Sequence, residues 1–235
     1  MPVCIAIIAL GAICLTLFLI EKIRKYSVKA TMIKATTSFL FIALAVYANY
    51  KNADGNSRFA MFATLALAMG LLGDIWLGLK YGVKEETKTF TFAGFICFAI
   101  GHVLYITGMM VALPYPNQWY AYLIPLGLGV LSGVIVLLLE KPLKVNYGEF
   151  KSVSCVYGAL LFTMVFTALY LAIDAKFQNS AYIMLFVGGT LFAISDLILC
   201  GTYFGKNRER PVDLISNAVT YYVAQYLIAF SLFFL

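Results

Sequence analysis

Charged side chains are scarce in this sequence. Asp, Glu, Lys and Arg make up 12% of its 235 residues, about half of the usual quarter, and there is a single histidine. A soluble fold of this size needs more polar surface than 17 basic and 11 acidic side chains supply. The composition therefore excludes a soluble globular protein.

Other classes of protein are excluded by the cysteine pattern and by the aromatic and apolar content. The five cysteines form no CxxC pair and lie in apolar runs, which argues against a disulfide framework or a zinc site. Aromatic residues at 16% and apolar residues at 63% exclude disordered and collagen-like chains. The sequence predicts an integral membrane protein. Its net charge of +6 does not indicate nucleic-acid binding, because bases gather in the loops of such proteins.

Long apolar runs fill most of the chain. A helix needs about 20 apolar residues to cross the hydrocarbon core. Eight runs come close to this length: 3–20, 30–48, 58–79, 89–112, 119–139, 150–173, 180–203 and 212–233. No loop between them can hold a second domain, so residues 1–235 are predicted to form one all-α transmembrane bundle. The first run is expected to be a retained span rather than a signal peptide, because it lacks a basic flank before it and a cleavage site after it.

Basic residues are distributed unequally between the predicted loops. The first, third, fifth and seventh loops hold 13 of them, the second, fourth and sixth hold three, and Lys34 lies inside a span. The positive-inside rule then places the odd-numbered loops in the cytoplasm and both termini outside. The expected location is a bacterial cell membrane or, in a eukaryote, the endoplasmic reticulum.

Ionisable residues interrupt four of the apolar runs. A charge at a helix centre costs about 2.5–3.5 kcal/mol on insertion scales, so such residues are candidates for function. A lysine near a helix end can extend its ammonium to the headgroups, and a neutral histidine can bond to a neighbouring helix. Aspartate has too short a stem for either explanation. The four residues are Lys34, Asp74, His102 and Asp196.

The polar residues of the spans fall into two layers. At 1.5 Å per residue, the shallower layer lies roughly 6–10 Å from the cytoplasmic ends of the spans, and the deeper layer roughly 20 Å. The last span adds a polar face with a spacing of four residues, at Asn217, Tyr221 and Gln225. The shallower layer holds Lys34, Asp74, Asp196 and Asn217, and the deeper layer holds His102 and Gln225.

Two carboxylates and one ammonium in one layer leave a negative charge without a partner. The less costly state pairs Lys34 with one aspartate and leaves the other aspartate protonated. A carboxylic acid beside a carboxylate can act as general acid and general base. Thr37 and Ser38 continue the polar stripe of Lys34 inward. A purely structural ion pair is the alternative interpretation.

Small residues surround both aspartates. Gly70 and Gly73 precede Asp74, while Gly188, Gly189, Ala193 and Ser195 precede Asp196. Small residues let helices approach closely and leave room for a cavity. We therefore expect clefts here. The similar surroundings also indicate a parallel duplication of spans 1–4 and 5–8.

These motifs resemble the YhhN family of eight-span membrane proteins, whose characterised animal members are lysoplasmalogenases. Lys34 is similar to a lysine that opens the second span of the family. The resemblance is carried by two stretches, 70–109 and 188–231, and within them by Gly70–Asp74, Gly101–Tyr105, Leu191–Asp196 and Thr220–Ser231.

The resemblance implies hydrolysis of the vinyl ether bond of a lysoplasmalogen, which releases a fatty aldehyde and glycerophospho-ethanolamine or -choline. It implies no metal or organic cofactor, and a lysophospholipid and bilayer lipids as partners; the oligomeric state stays open. Vinyl ethers hydrolyse by slow proton transfer to carbon. One of Asp74 and Asp196 would donate that proton, and the other would stabilise the cation and activate water. The supporting residues are Lys34, His102, Ser195, Asn217, Tyr221, Tyr222 and Gln225.

Three other functions fit the same residues. A transporter or proton-coupled carrier also uses carboxylates inside the membrane, and would move its substrate without breaking a bond. A lipid-binding or scaffolding protein would need the polar layer for folding alone, and would tolerate Asp→Asn changes. A metal hydrolase would use Asp74, Asp196 and His102 as ligands, but the different depth of the histidine disfavours it.

Overall fold

The computed structural model describes residues 2–24, 27–52, 55–81, 86–205 and 210–235. Within these residues the chain forms eight α-helices and one 3₁₀ turn, Gly148–Phe150, with no β-strand beyond an isolated bridge between Val145 and Gly205. The predicted loop bases Lys25, Lys84, Lys206 and Arg208 lie outside the described residues. The helices are α1 (Pro2–Arg24), α2 (Val28–Lys51), α3 (Ser57–Leu79), α4 (Thr87–Ala112), α5 (Trp119–Leu138), α6 (Lys151–Asp174), α7 (Ser180–Phe204) and α8 (Pro211–Ser231).

Seven of the helices, α1 to α7, are long and apolar enough to cross a membrane, so the protein is a multi-pass membrane protein. Helix α8 begins with a proline in its first turn and carries Asn217, Tyr221, Tyr222 and Gln225, which lower its apolar content. Its 21 residues span about 31 Å at 1.5 Å each, as long as a hydrocarbon core is thick. The count of eight spans and the positions of the termini stay predictions.

Helices that follow one another pack together within each half of the chain, from α1 to α4 and from α5 to α8. The halves are joined by α4 against α6 and by α8 against α1, α2 and α3. If α1–α4 are matched in order with α5–α8, then α2 corresponds to α6 and α4 corresponds to α8. The contact between α2 and α8 then corresponds to the contact between α6 and α4. This arrangement suits the predicted parallel duplication, which stays a prediction.

The bundle is apolar outside and partly polar inside. Large side chains such as Ile5, Leu131 and Leu138 are exposed, whereas the interior buries many alanines together with polar residues such as Thr37 and Ser38. A surrounding of hydrocarbon favours this distribution, because polar groups inside a membrane turn toward the bundle interior. The buried polar groups are therefore the first place to look for a site.

Residues 139–150, which we call the α5–α6 segment, lie across one end of the bundle. The backbone N–H of Asn146 donates to the carbonyl of Phe204 at 2.8 Å. Glu149 forms an exposed ion pair with Lys88 at 2.8 Å, and Tyr147 is buried. The segment is thereby attached to both α4 and α7.

Candidate active site

Asp74 is a buried carboxylate that accepts from three donors on two other helices. Its side chain is 2% exposed. Lys34 Nζ from α2 lies 2.8 Å from Oδ1, and Ser38 Oγ, one turn further along α2, donates to Oδ2 at 2.6 Å. The hydroxyl of Tyr221 from α8 donates to Oδ2 at 2.8 Å. An ammonium and two hydroxyl groups therefore surround this carboxyl group.

The glycines before Asp74 hold the neighbouring helices close to α3. A Cβ atom on Gly73 would lie 2.6–2.9 Å from three atoms of the Phe98 ring, and one on Gly70 would lie 2.9 Å from Nε2 of Gln225. The expectation of an open cleft beside these glycines is therefore wrong. Close approach of the helices leaves the space filled by aromatic and amide side chains rather than free for a ligand.

Polar side chains behind Asp74 fix the donors. Nε2 of Gln225 donates to the Tyr221 hydroxyl at 3.2 Å, and the hydroxyl of Tyr105 donates to Oε1 of Gln225 at 3.3 Å. The hydroxyl of Tyr222 donates to the carbonyl of Lys34 at 3.1 Å and lies 3.1 Å from Ser38 Oγ. Gln225 therefore orients Tyr221, and Tyr222 ties α8 to α2.

Asp196 has different surroundings. It accepts a short hydrogen bond from the hydroxyl of Tyr157 on α6. Its side chain is half-buried, and no described lysine or arginine approaches within 4.0 Å of it. Compared with Asp74, it has fewer donors and, among the described residues, no ion pair.

His102 lies behind Tyr157. Its Nε2 is 3.3 Å from the Tyr157 hydroxyl, and its ring packs edge-on against Phe192. Nδ1 is buried and has no hydrogen-bond partner among the described residues. His102 thus contacts the donor of Asp196 rather than Asp196 itself, as Gln225 does for Asp74.

Ser195 and Asn217 bond to each other. Nδ2 of Asn217 lies 2.9 Å from both the carbonyl and the hydroxyl oxygen of Ser195, and the Ser195 hydroxyl lies 3.1 Å from the Asn217 carbonyl. These hydrogen bonds hold α7 against α8 next to Asp196. Its polar atoms form part of the cavity wall described next.

A polar cavity brings most of these residues together. Both aspartates line it, as do Lys34 and, from the end of α1, Lys22. Of the nine site residues predicted from the sequence, seven line this cavity, whereas His102 and Gln225 lie outside it behind the two tyrosines. The seven are Lys34, Asp74, Ser195, Asp196, Asn217, Tyr221 and Tyr222.

A second, mainly apolar cavity adjoins the first at Asp196. Leu77, Phe98, Leu199 and Tyr203 line both cavities and form the partition between them. Asp74 lines the polar cavity and is outside the apolar one. Asp196 is thus the carboxylate that faces both compartments.

Tyr157 and the two-cavity arrangement were not predicted. Tyr157 lies six residues into α6, the same distance as Lys34 into α2 and Asn217 into α8, so a depth count includes it in the shallow layer. Tyrosine is common in membrane helices, however, and the count alone does not single it out. Ser38 was noticed as part of a polar stripe, without its bond to Asp74.

Among the described residues there is no cluster of three or more His, Cys, Asp or Glu side chains able to hold a metal ion. Asp74, Asp196 and His102 form no such cluster because Tyr157 separates His102 from the aspartates. The reaction without a metal stays a prediction.

Fold and site together define a polytopic helical membrane protein with two carboxylates in one cavity near one end of the bundle. The model of the YhhN family matches residues 29–232, and the chain belongs to this family. No curated protein and no solved structure matches the chain.

Proposed function

We propose that this protein is an ether-lipid hydrolase that cleaves the vinyl ether bond of a lysoplasmalogen. Family membership supports the reaction class, since the family resemblance includes lysoplasmalogenases. The observation that carries the proposal is the position of Asp196 between a polar and an apolar cavity. An amphiphile whose reactive bond joins its polar and apolar parts fits such a position.

Asp196 is the acid in this proposal. It has no ion pair among the described residues and borders both cavities, so it can hold a proton and present it to a bond at their junction. Tyr157 occupies Oδ2 and leaves Oδ1 to carry that proton. Asp74 is unsuitable, because Lys34 and two hydroxyls stabilise it as a carboxylate.

The proposed reaction consumes one water and no redox equivalent. Asp196 transfers its proton to carbon 2 of the alkenyl chain, and the electron pair of the double bond forms that C–H bond. Positive charge develops on carbon 1 and the ether oxygen. Water adds to carbon 1, and its proton returns to the carboxylate of Asp196. The hemiacetal then breaks its bond to the glycerol oxygen, which takes the hydroxyl proton, and the chain leaves as an aldehyde.

Asp74 supports this reaction from the polar cavity. Its negative charge lies on the wall shared with Asp196 and favours the cationic intermediate, while Lys34 prevents an unpaired buried charge in the resting state. Lys22 and Lys34 together supply positive charge suited to the phosphate of a lysophospholipid.

The experiment compares purified wild type with Asp196→Asn and Asp74→Asn in lipid nanodiscs. The substrate is an alkenyl lysophosphatidylethanolamine, and aldehyde release is measured. Asp196→Asn is expected to lower turnover by about 10²–10⁴-fold, the usual contribution of a general acid. The matched control is Asp174→Asn at the exposed, opposite end of α6, which is expected to keep full activity.

Two results contradict the proposal. Equal aldehyde release by wild type and Asp196→Asn would remove this residue from the chemistry. An inert wild type that moves the lysolipid across the bilayer intact would favour a transporter.

A further inference from the structure

The apolar cavity has a defined extent. It reaches from Leu161 and Phe162 on α6 to Tyr147 of the α5–α6 segment. Leu197 of α7 lines it and is also 48% exposed on the outer surface of the bundle. The cavity therefore reaches from Asp196 to a side chain that is exposed on the hydrocarbon side of the protein.

The covalent order of the proposed substrate decides what this cavity can hold. In an alkenyl ether, carbon 1 carries the ether oxygen and carbon 2 receives the proton. When carbon 2 lies at Asp196, the glycerol and phosphate are on one side of this residue and the remaining chain is on the other. The phosphate favours the polar cavity with Lys22 and Lys34, so the remaining chain extends into the apolar cavity.

We infer that the apolar cavity is the binding site for the hydrocarbon chain of a single-chain ether lipid, and that its walls limit the length of that chain. The orientation of the chain rests on the proposed function. Binding itself does not, because a saturated alkyl ether with the same headgroup has the same polar and apolar parts and no double bond to protonate.

Ser154 gives a direct way to test the cavity. It lies one turn before Tyr157 on α6, is 6% exposed and lines the apolar cavity. Its hydroxyl has no hydrogen-bond partner among the described residues. Phenylalanine at this position fills part of the cavity, whereas alanine removes a hydroxyl that no described group uses.

Matched controls are available on the same helices. Val156 of α6 is 59% exposed and lies outside both cavities, so Val156→Phe adds the same ring on the lipid side. On α7, Leu197 lines the cavity and Ile194, one turn earlier and 42% exposed, does not. Leu197→Trp and Ile194→Trp form a second pair, which keeps the test valid if Ser154→Phe fails to fold.

The experiment measures equilibrium binding of radiolabelled hexadecyl and octyl ether lysophosphatidylethanolamine to the full chain in nanodiscs, with empty nanodiscs as background. Wild type is expected to bind the hexadecyl ether more tightly than the octyl ether. Ser154→Phe or Leu197→Trp should weaken hexadecyl binding about tenfold, the factor that about two buried methylenes contribute. Octyl binding should change less, and Val156→Phe and Ile194→Trp, which lie outside the cavity, should bind as wild type does.

Equal affinity of wild type for both chain lengths, or wild-type hexadecyl binding by both folded cavity variants, would overturn the inference. The proposed reaction is judged separately. If the expected binding pattern is found but no aldehyde is released, the proposed reaction is rejected and the chain-binding site is kept. If aldehyde is released but binding does not depend on chain length, the reaction is kept and the chain-binding site is rejected.

Discussion

Asp74 and Asp196 occupy comparable places on α3 and α7, yet their surroundings differ. Both accept a hydrogen bond from a buried tyrosine, and behind each tyrosine lies a second polar residue, Gln225 for Asp74 and His102 for Asp196. Asp74 has in addition an ammonium and a serine hydroxyl. Asp196 instead lines both cavities.

The comparison teaches how one residue type takes two roles. Partners that stabilise a charge favour a carboxylate, and a carboxyl group with fewer such partners gives up and takes back a proton more readily. In the proposed reaction, Asp74 therefore gives structural and electrostatic support, and Asp196 transfers the proton. Substitutions at the two sites should therefore divide between stability and turnover.

The largest expected difference concerns stability. Asp74→Asn leaves the Lys34 ammonium, whose side chain is 15% exposed, without its partner inside the bundle, so we expect the free energy of unfolding to fall by about 3–5 kcal/mol. Asp196→Asn removes no ion pair and should cost about 1 kcal/mol, the net value of a hydrogen bond. Unfolding in mixed micelles at constant lipid composition measures both changes.

The double variant Lys34→Met/Asp74→Asn is the control for this explanation. It removes both charges, and we expect it to recover most of the stability that Asp74→Asn loses. A double variant as unstable as Asp74→Asn would show that the lost hydrogen bonds from Ser38 and Tyr221, rather than the unpaired ammonium, cause the effect.

An intermediate effect is expected for the two tyrosines. Tyr157→Phe keeps the ring that packs against Phe95 and removes the hydroxyl that donates to the proposed acid. Turnover should fall about tenfold or more, because a hydrogen bond to a charged group contributes about 1.5–3 kcal/mol, while KM stays near its wild-type value. The pH–rate profile of the variant should also shift, which a merely structural role would not cause.

Tyr221→Phe is the matched comparison for Tyr157→Phe. Asp74 keeps Lys34 and Ser38 as donors in this variant, so we expect a loss of about 1 kcal/mol in stability and little change in turnover. Equal losses of turnover in the two variants would contradict the different roles assigned to the two aspartates.

Much of the fold follows from composition, and the reason is the membrane. Hydrocarbon requires all backbone groups to bond within each span, so apolar runs of sufficient length predict helices directly. Helix α8 was predicted as the run 212–233 and forms as a helix, although its interior-facing Tyr221, Tyr222 and Gln225 lower its apolar content. Its crossing of the membrane stays a prediction. Packing partners such as α8 against α2 depend on side-chain fit between distant helices, which spacing along one helix does not contain.

The site residues that the sequence predicts are those whose burial inside a membrane is energetically costly. Asp74, Asp196 and Lys34 stand out because charges rarely enter apolar runs. Tyr157 and Ser154 do not stand out, because a tyrosine or a serine inside a span has many uses. The depth of the deeper layer stays a prediction, whereas His102 and Gln225 lie behind Tyr157 and Tyr221 rather than beside an open cleft.

The smallest expected effect lies in the α5–α6 segment, which borders the Asp196 side of the site and not the Asp74 side. Glu140 accepts a hydrogen bond from Lys151 Nζ at 2.9 Å and one from the backbone N–H of Tyr147 at 3.1 Å. These bonds, the one from Lys151 first, hold the pKa of Glu140 below its ordinary value of 4.5. Tyr147 in turn lines the apolar cavity.

A lowered pKa in the folded state means that Glu140 stabilises the fold at every pH above its ordinary pKa, and that this contribution disappears as the pH falls through the lowered value. Glu140→Gln should therefore lower Tm slightly at about pH 7, and this difference should shrink as the pH falls below the ordinary pKa and through the lowered one, because the wild-type carboxyl group then becomes protonated too. Thermal unfolding of both proteins over a series of falling pH values measures this, with Glu149→Gln as the control in an exposed ion pair. A Tm difference that persists at low pH would show that Glu140 acts through its packing beside Tyr147 instead of its charge. The α5–α6 segment next to the Asp196 side of the site would then be insensitive to acid.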